Sequence, residues 1–190
     1  MPYQGTYMAQ NGNCINAVGA IAGFTIDAVY DEHGYVRYPN GAITTFDAPG
    51  AGTTPYTYQG TWPNAINLGG TIVGYITDTN TTNHGFVRYP NGHFTTFDAP
   101  GAVATPGTYQ GTDLYGVNLW GAIVGSYTDA KDVSHGFLLN PDGTFTKIDV
   151  PGAGTSPLQG TIPLSINLEG AITGVYFDAN GAGHGFVVNP

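Results

Sequence analysis

The stretch HGFVRYPNG, residues 84–92, decides the fold, because the chain holds three more copies: HGYVRYPNG at 33–41, HGFLLNPDG at 135–143 and HGFVVNP at 184–190. Their histidines, His33, His84, His135 and His184, recur at intervals of 51, 51 and 49 residues. Working outward from them, the consensus reads QGT, a short gap, Ile-Asn or Val-Asn, G-x-I-x-G, Asp, HG[FY], P-[ND]-G, a Thr-rich run ending in Asp, then Pro-Gly and back to QGT. A period near 50 residues is the length of one small antiparallel sheet in a radial array.

Four extended segments are expected per copy. The first ends at Asn16, Asn67, Asn118 or Asn167. In the second, Ile21, Ile72, Ile123 and Ile172 stand two residues before Gly23, Gly74, Gly125 and Gly174, so each pair shares one face of a strand. Those glycines mark close backbone approach. The third segment is HGFVR or its variants, and the fourth is AITTFD, HFTTFD or TFTKID, with the Thr and aromatic content that strands favour. Asn-Gly and Asp-Gly between them are strong hairpin signals, because both residues accept the positive φ of a tight turn. No helical period interrupts the pattern.

The expected fold is therefore all-β: a four-bladed β-propeller of four-stranded repeats, forming one domain over 1–190 with repeats at about 4–58, 59–109, 110–158 and 159–190. A prism-like or solenoid stack, or part of a larger propeller, are the rival architectures. The last repeat stops at HGFVVNP and lacks its fourth strand, and the residues before the first QGT do not replace it. Phe186, Val187 and Val188 are then the edge at which a second copy of the chain would pair.

Composition narrows function. Thirteen acidic residues against four basic ones give a net charge of −9, which argues against nucleic-acid and anionic-membrane partners. No apolar run has the length of a membrane-spanning helix, and MPYQGTYMAQ lacks the basic start and apolar stretch of a signal peptide. Cys14 is the single cysteine, so no intramolecular disulfide or cysteine metal motif is expected.

Asp27, Asp78, Asp129 and Asp178 each stand six residues before a repeat histidine. An Asp-His pair suits acid-base work, but a pair that recurs in every copy is expected to brace a loop. The intervening loops match no calcium motif, so neither metal nor cofactor is expected. His93, outside the repeat position, is expected on a solvent-facing strand, and Cys14 as a small apolar residue. No nucleophile elbow, P-loop or HExxH motif is present, and the expectation is that the protein is not an enzyme. Tyr58, Trp62, Tyr109, Tyr115 and Trp120, near the connections between repeats, are the candidates for stacking on a carbohydrate, although Trp62 aligns with Asp113 and Ile162 and so does not recur. The expected role is an interaction or self-assembly scaffold, with a glycan-binding lectin as the alternative.

The HG[FY] phrase, flanked by IN-x-x-G-x-I-x-G and F-x-x-[FI]-D, resembles the extracellular HAF-type repeat family, named for a His-Ala-Phe phrase. Gly34, Gly85, Gly136 and Gly185 occupy the slot where that phrase has Ala. The resemblance covers nearly the whole chain. It implies a secreted bacterial repeat protein, and it transfers no catalytic residue.

Overall fold

The computed structural model describes residues 5–8, 13–103 and 105–190. Gln4, which opens the first QGT, and the residues before it lie outside the described residues. Among the described residues the protein is all-β, with fifteen strands in two mixed sheets and no helix.

Each repeat folds as an antiparallel meander. The first contains β1 (Gly5–Met8), β2 (Ile21–Ile26), β3 (Glu32–Arg37) and β4 (Ile43–Phe46). The second contains β5 (Gly60–Ile66), β6 (Ile72–Thr77), β7 (Asn83–Arg88) and β8 (Phe94–Phe97), and the third contains β9 (Thr112–Val117), β10 (Ile123–Thr128), β11 (Ser134–Leu139) and β12 (Phe145–Ile148). The fourth has three strands: β13 (Gly160–Ile166), β14 (Ile172–Phe177) and β15 (Gly183–Val188). The expected segments thus form strands, with the Pro-Asn-Gly and Pro-Asp-Gly turns between the third and fourth, except that in the first copy the segment before Asn16 is not a continuous strand: β1 ends at Met8 and Ile15 makes only an isolated bridge to Ile21. Asn40, Asn91 and Asp142 hold these turns by accepting the N–H two residues on at 2.8–3.0 Å.

The QGT motif is the clasp between repeats. Asn83 donates its N–H to the Gln110 carbonyl at 2.9 Å, with the same bond from Glu32 to Gln59 and from Ser134 to Gln159. This brings the first strand of one repeat parallel to the third strand of the repeat before it, at Glu32↔Gly60, Asn83↔Gly111 and Ser134↔Gly160. At Gly111 φ is +141°, and a Cβ there would strike the Asn83 carbonyl, so only glycine fits. The threonine finishes the clasp: Thr61, Thr112 and Thr161 Oγ1 accept the N–H of Ala48, Ala99 and Val150 at 2.9–3.1 Å.

The expected close approach in the second strands is realised at Gly74, where a Cβ would run into the Trp62 carbonyl. Register shifts in β5 and β13 fall between Pro63 and Ala65 and between Pro163 and Ser165, placing each proline at an irregularity of the ladder.

Three apolar clusters fill the three successive junctions. Val36 meets Ile66, Ile72 and Phe86; Val73 and Val87 meet Leu114 and Phe137; Val124 meets Ile166 and Ile172. Removing each such side chain from water contributes about 1.5–3 kcal/mol before entropy is counted. Asparagines tie the same junctions at one end: Asn16 Nδ2 donates to the Asn67 carbonyl at 3.0 Å, Asn67 to Asn118 at 2.9 Å and Asn118 to Asn167 at 3.3 Å. Asn13 Nδ2 also donates to Ser165 Oγ at 3.1 Å, so the first repeat reaches the fourth.

Candidate functional site

Three of the four repeat histidines are held from both sides, and His184 from one. Asp78 Oδ1 accepts the N–H groups of Asn80 and Thr82 at 2.8 Å, closing the loop between β6 and β7, while Oδ2 lies 3.7 Å from His84 Nε2. The other three loops close in the same way, and the Oδ2 to Nε2 separation is 3.9 Å at Asp27–His33, 3.3 Å at Asp129–His135 and 3.1 Å at Asp178–His184. Burial opposes ionisation of Asp78, but the Thr82 and Asn80 N–H groups outweigh it and hold its carboxyl below the ordinary value.

Nδ1 takes a second carboxylate that sequence reasoning missed. His33 meets Asp47 at 2.8 Å, His84 meets Asp98 at 2.7 Å and His135 meets Asp149 at 3.0 Å. These aspartates end the Thr-rich fourth segment, and the β3–β4 register, with Gly34 opposite Phe46, carries Asp47 to His33. Around His33, burial lowers the imidazole pKa, but the Asp47 bond and the surrounding carboxylates prevail and raise it. The two carboxylates of each line lie on opposite edges of one ring and do not converge on a single point. Among the described residues no group of three or more His, Cys, Asp or Glu side chains has the arrangement of a metal site.

The sequence-derived aromatic candidates divide. Tyr58, Trp62 and Tyr109 come together with Tyr75, Thr77 and Asn83 around one pocket of about 240 Å³. Trp62 stacks on Tyr75 at 5.8 Å between ring centres with planes 8° apart, and its other neighbour is Phe24 at 4.2 Å. Tyr109 donates its hydroxyl to the Thr57 carbonyl at 2.6 Å, and Tyr58 packs against Tyr30. Tyr115 is not among the pocket's residues and donates to Asp113 Oδ2 at 3.2 Å. Trp120, two-thirds exposed, stands on the turn between β9 and β10 and is not among the pocket's residues.

The polar wall is a chain of bonds: Thr77 Oγ1 donates to Asn83 Oδ1 at 2.9 Å, and Asn83 Nδ2 donates to Asp113 Oδ1 at 2.9 Å. Burial pushes the Asp113 carboxyl up to about 6, and the bonds from Asn83 and Tyr115 pull it only partly back. Glu32 occupies in β3 the position Asn83 has in β7. It is 1% exposed, and neither of its carboxyl oxygens has a hydrogen-bond partner. Burial, with the Asp31 charge beside it, pushes Glu32 up to about 8. Burial likewise raises the Tyr75 hydroxyl, with the charges of Asp113 and Glu32 adding to it. Trp62 Nε1 is also buried without a partner. The pocket therefore joins flat aromatic rings to the hydrogen-bonded Thr77–Asn83 pair, and neither Glu32 nor Asp113 is among its lining residues.

Of the expected edge residues, Phe186 and Val188 pack against the cluster between the third and fourth repeats, while Val187 is 63% exposed on β15, which among the described strands pairs only with β14. His93 is exposed in the turn before β8, beside Tyr89, and Cys14 is half-buried. Comparison with protein-family models, curated proteins and solved structures finds no match for the chain.

Proposed function

We propose that this chain is a non-enzymatic binding module, a four-bladed β-propeller whose aromatic pocket on the second blade holds a neutral carbohydrate. The observation that carries the reading is the convergence of Tyr58, Trp62, Tyr75 and Tyr109 on a pocket whose polar members are Thr77 and Asn83. Aromatic planes stack on the C–H faces of a sugar, and amide and hydroxyl groups satisfy its hydroxyls. The bond from Asn13 to Ser165 supports closure of the four blades into a ring. The repeated Asp–His–Asp lines act as braces, since each loop they hold belongs to a different blade. The resemblance of the HG[FY] phrase to an extracellular repeat family supports work outside the cell.

A glycan array followed by titration of the best ligand tests the reading. Selective binding that falls at least tenfold in Tyr109→Ala, an exposed position whose loss leaves the core intact, is the expected result. Uniform absence of binding, or binding unchanged in both Tyr109→Ala and Trp62→Ala, would remove it.

A second reading, self-assembly, rests on β15. Its outer edge pairs with no described strand, and a neighbouring chain that supplied a fourth strand would complete the blade.

A further inference from the structure

A second pocket, of about 220 Å³, opens between the first and second repeats at the end that carries the asparagine ladder. Val36, Ile66, Leu68 and Pro90 give it apolar walls, Asn16 and Tyr38 contribute polar groups, and Arg88 closes one side. Arg88 is 8% exposed, and its Nε is sealed from solvent without a hydrogen-bond partner. Its guanidinium lies over the Phe46 ring at 4.7 Å and near Phe94 at 5.9 Å, and it forms no ion pair or hydrogen bond with any described residue. The corresponding positions in the next two repeats are Leu139 and Val188, apolar residues packed against their junction clusters. The first repeat has Arg37 at this position, but exposed at the end of β3, so the fold does not require a buried cation there. A buried guanidinium with no counter-charge is destabilising, and ring faces offset only part of the loss of hydration.

We propose that the Arg88 pocket binds a small monocarboxylate with a compact apolar body, the carboxylate pairing with the guanidinium and the body lying against Val36, Ile66 and Leu68. The planar fork of arginine matches a carboxylate in two parallel hydrogen bonds. A single cation in a chain of net charge −9 favours a monoanion over a phosphate dianion. The volume falls below the ~300–1,000 Å³ of drug-sized sites, which limits the ligand to about the size of benzoate. The site is separate from the aromatic pocket and does not depend on the carbohydrate reading.

The test is NMR titration of the full chain with benzoate, hexanoate, benzamide and inorganic phosphate. Benzoate or hexanoate is expected to move the amide signals of Asn16, Gly69 and Gly70 and the Arg88 Nε–H, with benzamide roughly ten- to hundredfold weaker. Arg88→Leu, which installs the residue found at position 139, is expected to melt at or above the wild-type temperature and to lose the response. Arg88→Lys keeps charge without the fork and is expected to bind more weakly than wild type; it serves as the test if Arg88→Leu fails to fold. Absence of any carboxylate response at high millimolar concentration would overturn the proposal. So would equal binding of benzoate and benzamide, preference for phosphate, or undiminished binding by the arginine variants.

Discussion

Asn67 donates its side-chain amide to the backbone carbonyl of Asn118 at 2.9 Å, joining equivalent points of two repeats that lie 51 residues apart. The same side chain accepts the Thr71 N–H at 3.0 Å, so one residue closes its own turn and fastens the neighbouring repeat. Asn67→Ala is expected to cost about 2–3 kcal/mol, because it removes two hydrogen bonds at a site only 7% exposed. Asn167 accepts the Ala171 N–H but donates to no described residue, and Asn167→Ala is expected to cost about 1 kcal/mol. Urea denaturation of both variants measures the difference. Equal losses would mean that the bond between repeats adds nothing.

Glu32 gives the fold a dependence on pH. Its folded pKa, about 8, lies above the ordinary 4.5, so the folded state binds the proton more tightly than the unfolded chain does. Its stabilising contribution is full below pH 4.5 and is lost as pH rises through 8. Within that window the loss approaches about 1.4 kcal/mol for each pH unit crossed. Glu32→Gln is expected to remove this part of the slope and to be the more stable protein above pH 8. Parallel stability curves for the two proteins would contradict the assignment.

Thr81, in the loop between β6 and β7, has a φ of +58°, and the equivalent residue of the fourth repeat, Gly181, has +78°. Threonine is strained in this left-handed region, where glycine is not. Thr81→Gly is expected to raise stability by about 0.5–1 kcal/mol, the relief of strain exceeding the added freedom of the unfolded chain. A thermal melt that falls instead would show that the Thr81 hydroxyl, bonded to the Asn80 carbonyl at 2.6 Å, matters more than its backbone conformation.

Strand β15 bears on association. If a second chain pairs with its free edge, light scattering of the wild type will show mass rising with concentration. Val187→Lys, which places a charge on that exposed strand, is expected to hold the protein monomeric without lowering its melting temperature. A wild type that remains monomeric throughout the series would end the assembly reading.

The strands were legible because their signals are local. Two-residue periodicity around Ile72 and Gly74 and the Asn-Gly turn at 91–92 need no partner to be read, and both lie where the pattern requires. The histidine's second partner was hidden, although the first three copies each end their Thr-rich run in Asp, because only the register of the hairpin joins residues fourteen apart. Glu32 and Arg88 were harder still. Their burial is encoded by no local pattern: the other copies put Asn83, Ser134 and Gly183 at the position of Glu32, and the first copy has an arginine, Arg37, at the position of Arg88 but leaves it exposed. Recurrence identified the frame, whereas departures from recurrence marked the pockets. Trp120 is the converse case: a conspicuous residue beside a repeat marker that sits largely in solvent.

The clasp between repeats has a consequence for how such a chain can diversify. Glu32, Asn83 and Ser134 make the same backbone bond to the following Gln-Gly pair, so the alignment of two repeats is independent of the side chain at that point. An acid, an amide and a hydroxyl stand there without changing the frame. Each cleft can therefore acquire its own chemistry by single substitutions while its neighbours keep theirs, and copying a unit of 51 residues duplicates the mount while leaving its lining open to specialise.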